Sequence, residues 1–202
     1  KHYMKTNDII VLKAPKWESH RTEGEVIGPC KTRKDIGALC QKLGCNKRGV
    51  ELGVAKGSFT FQVHKYFDQF WSIDSWCDER HDTKQYEQFK RKIVRKKITN
   101  INVVRSDFNT VVKTFDDHFF DFIYIDGYAK AHHQLRLNLN NWFIKLTPGG
   151  IFSGHDWQYP HVQEIINQLA SDKKLNLNVT GERHYCSSVR INTEGPTWWF
   201  KT

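Results

Sequence analysis

The sequence has few cysteines, and they form no binding or bridging pattern. The five cysteines among 202 residues are odd in number and scattered, and no two are spaced as Cys-x-x-Cys. Zinc ligands and disulfide frameworks typically recur at short, regular spacings. The sequence therefore indicates neither a zinc site nor a disulfide-stapled fold, and it favours a reducing compartment such as the cytoplasm.

Long hydrophobic runs are also missing. No apolar stretch approaches the roughly 20 residues that a membrane-spanning helix needs, and no signal-peptide pattern, repeat or low-complexity tract occurs. We therefore predict a single domain over residues 1–202 with a core over 47–202. Pro15 and Pro29 predict an irregular segment over residues 1–30, a candidate cover for a binding site. Because the sequence begins with Lys1, we expect a processed chain or a domain of a larger protein.

Positive charge dominates, with a formal net charge of +9. Much of the excess lies in residues 84–97, where Tyr86, Phe89 and Ile93 recur on one side of a predicted helix. A solvated helix face is the favoured interpretation, and a nucleic-acid surface is the less favoured one. Phosphorylated or nucleotide-linked ligands would also suit this charge.

A glycine-rich turn lies at the centre of the chain. An apolar run over residues 49–52 predicts a buried strand, Gly53 and Gly57 break it, and apolar residues then recur at helical spacing. This strand, turn and helix predict the opening of a βαβ unit whose helix N-terminus can receive polar ligand groups. The spacing Gly-x-x-x-Gly excludes both the dinucleotide Gly-x-Gly-x-x-Gly pattern and a phosphate-binding P-loop.

Acidic residues follow the later predicted strands. Strands are predicted over residues 70–74, 101–104, 119–127 and 151–154, and they end at Asp74, Ser106-Asp107, Asp126 and His155-Asp156. The carboxyl ends of parallel strands line one crevice, so these side chains are expected to meet there. Asp74 could accept ribose hydroxyl protons or cap a helix, and Asp107 has the competing interpretation of a plain helix N-cap.

Several further elements complete the predicted α/β pattern. Helices are expected over residues 31–43, 84–97, 110–115, 131–145 and 162–169, a sharp turn over 147–150, and a strand over 175–180. Residues 185–191 and 197–201 are two candidates for a last strand.

Taken together, these motifs resemble those of class I S-adenosylmethionine (SAM)-dependent methyltransferases. The series of glycine turn, strand-Asp, Ile-Asp-Gly, Leu-x-Pro-Gly-Gly-Ile and Gly-His-Asp-Trp is similar to the macrocin-type branch of sugar and small-molecule O-methyltransferases, over residues 47–202. It is also similar to methyltransferase modules of large algal-virus glycan-synthesising proteins. The resemblance implies a Rossmann-like, seven-stranded, mostly parallel sheet flanked by helices. It also implies SAM-dependent methylation of a sugar hydroxyl on a small-molecule or oligosaccharide acceptor, such as a rhamnose-like sugar.

The resemblance assigns cofactor-binding residues at the strand ends. It places Glu51, Gly53 and Gly57 at the methionine end of SAM, Asp74 at the ribose and Asp107 on the adenine side. The full set that it implies is Glu51, Gly53, Ala55, Gly57, Ser58, Asp74, Ser75, Trp76, Ser106, Asp107 and Asp126.

A divalent metal, Mg or Mn, is also implied by the resemblance. Asp126, His155 and Asp156 match the family's ligand positions, although His155 replaces one acid and is free to act otherwise. Relatives carry a base just after the Asp126 position, where this sequence has Tyr128, Ala129 and Lys130. The candidate bases are therefore His132, His133 and His155.

Two other functions compete with this interpretation. RNA methylation would use the basic residues 84–97, and a non-catalytic binding domain would use the same fold. Four aromatic residues could stack on a sugar or pack in the core, namely Trp157, Tyr159, Trp198 and Trp199. No oligomeric state follows from the sequence.

Overall fold

The structure is a computed structural model that describes residues 3–6, 9–13, 25–27, 30, 32–78, 81–127, 132–180 and 196–202. Its strands are β1 (Tyr3–Thr6), β2 (Ile9–Lys13), β3 (Glu25–Ile27), β4 (Arg48–Leu52), β5 (Gln69–Asp74), β6 (Ile101–Arg105), β7 (Phe120–Ile125), β8 (Leu146–Gly154), β9 (Asn178–Val179) and β10 (Trp198–Lys201). Its α-helices are α1 (Ile36–Lys42), α2 (Thr60–Val63), α3 (Thr83–Arg95), α4 (Phe108–Val111), α5 (His132–Phe143) and α6 (Pro160–Lys173). Short 3-10 helices cover Arg33–Asp35, His64–Tyr66 and Val112–Thr114.

The main sheet has seven strands in the order β6-β5-β4-β7-β8-β10-β9. The five strands from β6 to β8 are parallel, and β10 runs antiparallel to both β8 and β9. The predicted Rossmann-like sheet is therefore confirmed. The chain moves outward from β4 to β6 and then returns to β7 on the other side of β4. Ligands bind at such a switch point, beyond the carboxyl ends of the strands.

Helices cover both faces of this sheet because its central strands are apolar on both sides. Ile123 of β7 belongs to a buried cluster with residues of α4, α5 and α6. The next residue, Tyr124, faces the opposite cluster with residues of α1, and its ring stacks on Phe59 at 3.8 Å between centroids. No helix among the described residues is long and apolar enough to span a bilayer.

The structure corrects one prediction about residues 1–30, which were expected to be irregular. The segment contains β1, β2 and β3, which pair as a three-stranded antiparallel sheet. The prolines signal breaks, but the β-branched run Ile9-Ile10-Val11, which precedes Pro15, favours a strand.

The remaining elements follow the predicted order with shifted boundaries. The predicted turn over residues 147–150 lies inside β8, where the pairing with β7 jumps from Phe120↔Leu146 to Phe122↔Ile151. The predicted strand over 175–180 shortens to β9, and residues 197–201 correspond to β10. The other candidate for a last strand, residues 185–191, lies outside the described residues.

Gly53 allows the strand β4 to turn directly beside β7. Its φ is +94°, and a Cβ atom there would lie 2.1 Å from the carbonyl oxygen of Asp126. Two constraints therefore act on this position, a left-handed backbone and a backbone-to-backbone contact that has no flexible side chain to move aside.

Gly53→Ala is expected to destabilise the fold much more than Gly44→Ala. Gly44 also has a positive φ, +71°, but no heavy atom lies within 4 Å of its Cβ position. The Gly44 variant should lose about 1 kcal/mol through backbone strain alone, whereas the Gly53 variant should lose at least about twice that because β7 must move. Urea unfolding of both variants measures the difference, and equal losses would contradict the close contact.

Candidate active site

A cavity of about 660 Å³ opens beyond the carboxyl ends of the central strands. Its walls come from the glycine turn after β4, the residues after β5 and β6, and the ends of β7 and β8. The predicted site residues that line it are Glu51, Gly53, Ala55, Ser58, Asp74, Ser75, Asp107, Asp126 and Asp156. The parallel strands therefore bring together side chains that lie up to about a hundred residues apart in the sequence.

Asp74 holds the glycine turn in place. One of its carboxylate oxygens, Oδ2, accepts hydrogen bonds from the backbone N–H groups of Val54 and Ala55, each at 2.9 Å. The other oxygen, Oδ1, accepts one from the N–H of Trp76 at 2.9 Å. The side chain thus fixes the turn and still lines the cavity, and its role at a ribose stays a prediction. The helix α3 is capped by Asp82 instead, so Asp74 is not its cap.

Trp76 packs behind the turn and does not itself line the cavity. Its ring is fully buried, lies 5.9 Å from the Phe89 ring, and donates a hydrogen bond from Nε1 to the Ala55 carbonyl at 2.9 Å. Gly57 lies on the same side, because a Cβ there would meet the Phe89 ring at 2.3 Å. Both residues support the turn from behind, which the sequence pattern did not distinguish from direct ligand contact.

Asp107 is a helix N-cap and also lines the cavity. Its Oδ1 accepts hydrogen bonds from the N–H groups of Asn109 and Thr110 at 2.9 and 3.2 Å, so it is the N-cap of α4. The same residue lines the cavity, and contact with adenine stays a prediction. The hydroxyl of Ser106 donates to the Asp107 carbonyl at 3.3 Å, and Ser106 is not among the lining residues.

Glu51 lies buried at the end of β4 among hydroxyl groups. It accepts a hydrogen bond from Thr60 Oγ1, which also lies 2.9 Å from Ser72 Oγ. Burial raises the pKa of Glu51 well above its ordinary value; the Thr60 hydrogen bond opposes this shift, and the nearby Asp126 adds to it. Glu51 therefore keeps its proton to a higher pH than an exposed glutamate.

Asp126, His155 and Asp156 form an acidic cluster at the ends of β7 and β8. Nδ1 of His155 lies 3.5 Å from Asp126 Oδ1 and 3.2 Å from Asp156 Oδ1. The backbone fixes these positions, because the N–H of Asp126 donates to the Leu52 carbonyl at 2.8 Å and the N–H of His155 donates to the Ile125 carbonyl at 2.9 Å. Burial alone would lower the pKa of His155, but the two carboxylates outweigh it and raise the pKa.

This cluster fits the chemistry of a divalent metal ion. One donor atom from each of the three residues lies within 4.8 Å of the others, and two carboxylates with one imidazole suit Mn²⁺ or a related ion. Nε2 of His155 is buried with no hydrogen-bond partner among the described residues, so Nδ1 is the nitrogen that faces the carboxylates. The raised pKa of the imidazole has the same cause, an excess of negative charge that attracts a cation.

The other two predicted histidines lie at the start of α5, and only His133 has a described side chain. His133 is exposed near the start of α5 and does not line the cavity. His132 is the first residue of α5, and its side chain lies outside what the structure describes. Of the four aromatic residues considered for stacking, Trp157, Trp198 and Trp199 are buried, and Tyr159 lines the cavity.

Sequence reasoning missed Arg33, which lines the same cavity. It is only 6% exposed, and its NH1 donates to Asp126 Oδ2 at 3.4 Å. No binding motif surrounds Arg33. The only local signal is Thr32-x-x-Asp35, a capping box that marks the start of the 3-10 helix Arg33–Asp35.

The sheet order, the glycine turn and the cavity at the switch point together define the class I methyltransferase fold. Solved structures with this fold include three bacterial methyltransferases of different kinds. An O-methyltransferase from Bacillus cereus in complex with SAH has a TM-score of 0.63 and 13% identity, with 84% of this chain and 80% of that chain covered. The N-methyltransferase NodS from Bradyrhizobium japonicum WM9 has a TM-score of 0.59 and 17% identity, with 84% and 94% covered. An rRNA methylase from Streptococcus thermophilus has a TM-score of 0.58 and 10% identity, with 83% and 93% covered.

Sequence comparison identifies the family. No curated protein sequence matches the chain, but the family model described as a methyltransferase domain matches residues 50–157, more than half of the 202 residues. The chain belongs to this methyltransferase domain family, and it is a SAM-dependent methyltransferase of class I.

Glu51→Gln is expected to stabilise the protein increasingly as the pH rises from 5 to 7. The unfolded chain releases the Glu51 proton near its ordinary pKa of about 4.3, whereas the folded state retains it. Wild-type stability from this group is therefore fully present at low pH and falls above pH about 4.3, by up to about 1.4 kcal/mol per pH unit. The glutamine variant lacks this loss.

Urea unfolding of the Glu51 variant and wild type at pH 5, 6 and 7 measures this effect. Glu87→Gln, at an exposed site on α3, is the matched control for removing a carboxylate. If the difference in unfolding free energy between the Glu51 variant and wild type stayed constant over this pH range, Glu51 would ionise equally in the folded and unfolded states.

Proposed function

We propose that the protein transfers the methyl group of SAM to a sugar hydroxyl with the help of a divalent metal ion. The observation that carries this proposal is the Asp126–His155–Asp156 cluster, two members of which also line the cavity. A methyl acceptor with a hydroxyl group needs such help, because an alcohol is a poor nucleophile until its proton is removed or its oxygen is bound by a metal. Simple amine acceptors would not need it.

Each residue of the cluster has a separate part in this proposal. Asp126 and Asp156 would hold the ion, which would supply a Lewis acid that lowers the pKa of an acceptor hydroxyl. His155 takes the hydroxyl proton at Nδ1, 3.2 Å from Asp156 Oδ1. The strand ends position these groups beside the glycine turn, where an acceptor oxygen would have to lie in line with the methyl group of SAM.

Two features support a sugar acceptor. Tyr159 lines the cavity near Asp156 and offers an aromatic face of the kind that stacks on sugar rings. Vicinal hydroxyls, such as those of a rhamnose-like sugar, can bind one metal ion through two oxygens. The resemblance of the Gly-His-Asp-Trp motif to macrocin-type enzymes supports the same acceptor class.

Methyl transfer to a glycoside is expected to depend on the metal and on both carboxylates. With labelled SAM and a panel of rhamnosides, other glycosides, a catechol and RNA, we expect one glycoside to be labelled. EDTA, Asp126→Asn and Asp156→Asn should each reduce this labelling by at least about 100-fold, because the hydroxyl then keeps its proton. Adding Mn²⁺ or Mg²⁺ back after EDTA should restore labelling only in wild type.

His133→Ala is the control variant, since His133 is exposed and outside the cavity lining. Labelling by this variant should match wild type, and SAH binding by the Asp156→Asn variant should show that its cofactor site is intact. Labelling that survives EDTA would remove the metal from the mechanism. A large loss in His133→Ala would move the base from His155 to α5.

RNA methylation is the second candidate, and the exposed basic face of α3 favours it. Lys90, Arg91 and Arg95 are exposed on this helix, and Gln85 near its N-terminus is the α3 residue that lines the cavity. Arg95 lies about 15 Å farther along the helix axis, so RNA would have to span that distance. Labelling of RNA, with binding that weakens steeply with salt, would support this function over the first.

A further inference from the structure

Arg33 is a buried cation inside a cavity whose other charged residues are mostly acidic. Among the described residues that line the cavity, the other basic side chains are Lys56, which is exposed, and His81, which is partly exposed. Arg33 is only 6% exposed. Burying a charge costs free energy unless it is paired, and Asp126 supplies one anionic partner at 3.4 Å.

The chain holds Arg33 firmly at the end of the central strands. The 3-10 helix Arg33–Asp35 is fixed by a capping box, in which the N–H of Thr32 donates to Asp35 Oδ2 at 2.9 Å. The guanidinium lies over the Phe59 ring, 5.6 Å from its centroid, and its NH1 reaches Asp126 Oδ2 at 3.4 Å. It therefore lies between the residue that follows β7 and the residue that precedes α2.

The charges of SAM do not all match this acidic cavity. Its sulfonium and ammonium groups suit the surrounding carboxylates, but its methionine carboxylate would be repelled by Glu51 if ionised, by Asp126 and by Asp156. The adenine and ribose carry no anionic group. A carboxylate bound here needs a cation, and an arginine guanidinium is the side chain that binds carboxylates with two parallel hydrogen bonds.

We propose that Arg33 binds the methionine carboxylate of SAM. A guanidinium has five N–H donors, so it can bind this carboxylate while it retains its contact with Asp126. That contact, at 3.4 Å, is longer than the 2.7–2.9 Å of a strong charged hydrogen bond. Asp126 therefore keeps the guanidinium in place between turnovers without competing strongly with the cofactor. This inference needs SAM alone and is independent of the acceptor and of the metal.

The test compares ligands that differ at the carboxylate. Calorimetry on the full chain, with EDTA present, would give Kd values for three ligands, namely SAH, its decarboxylated analogue S-adenosyl-3-thiopropylamine, and 5′-methylthioadenosine. Wild type should bind SAH about 10- to 100-fold more tightly than the decarboxylated analogue, the size expected for a charge-assisted hydrogen bond. In Arg33→Met this ratio should fall to about 1, because only the SAH contact is lost. Arg33→Lys should give an intermediate ratio.

Lys42→Met is the matched control, since Lys42 is an exposed cation of α1 outside the cavity lining and its loss should leave the ratio at the wild-type value. Retained binding of 5′-methylthioadenosine shows that each variant is folded around an intact adenosine site. Equal weakening of all three ligands in both Arg33 variants would overturn the proposal, since it would mean that Arg33 only positions the site. Equal wild-type affinity for SAH and its decarboxylated analogue would overturn it without any variant.

Discussion

The backbone contact between Gly53 and Asp126 joins the two halves of the site. A Cβ at residue 53 would lie 2.1 Å from the Asp126 carbonyl oxygen, so the end of β4 approaches β7 as closely as a polypeptide chain allows. The N–H of Asp126 donates to Leu52 on one side of this contact, and the N–H of His155 donates to Ile125 beyond it. The glycine turn and the acidic cluster are therefore parts of one hydrogen-bonded backbone unit.

The cavity gathers carboxylates that are compensated in different ways. Asp74 accepts three backbone hydrogen bonds, which fix the turn. Glu51 keeps its proton because burial raises its pKa. Asp126 faces the guanidinium of Arg33 and the imidazole of His155. The fold itself thus accommodates Asp74 and Glu51. Asp126, with Asp156 beside it, depends instead on Arg33 and His155, two side chains that a bound cation or cofactor could rearrange.

The sequence was sufficient to predict the central part of the fold. The apolar runs of β4, β5 and β7 are largely buried, and such runs bounded by turn residues have a strong local signal. Because parallel strands end at one edge, the positions of Asp74, Asp107 and Asp126 followed from strand order alone. The side-chain partners of these acids did not follow, since a carboxylate that holds a turn looks the same in sequence as one that holds a ribose.

The errors lie where tertiary contacts decide the structure. Trp76 was expected to line the cofactor pocket. In the structure its ring packs near the Phe89 ring and donates a hydrogen bond to the Ala55 carbonyl, so it is buried behind the turn. Arg33 has no local pattern that points to a binding site, and only the packing of its 3-10 helix brings it to Asp126. The prolines of residues 1–30 outweighed the short β-branched run of β2 in the sequence interpretation, although strand pairing with β1 and β3 decides its conformation.

The same fold accommodates methyltransferases named for oxygen, nitrogen and RNA substrates, so the scaffold alone does not select the acceptor. The family match over residues 50–157 includes the turn and the acidic cluster but excludes Arg33 and Tyr159. These two residues line the cavity from segments before and after the matched region. If Arg33 takes the cofactor carboxylate, the acidic cluster remains available for the acceptor, and Tyr159 is the aromatic group placed to contact it. Acceptor choice would then depend on how Asp126 and Asp156 share their charge between a metal ion, His155 and Arg33, which is a property of this chain and not of the fold.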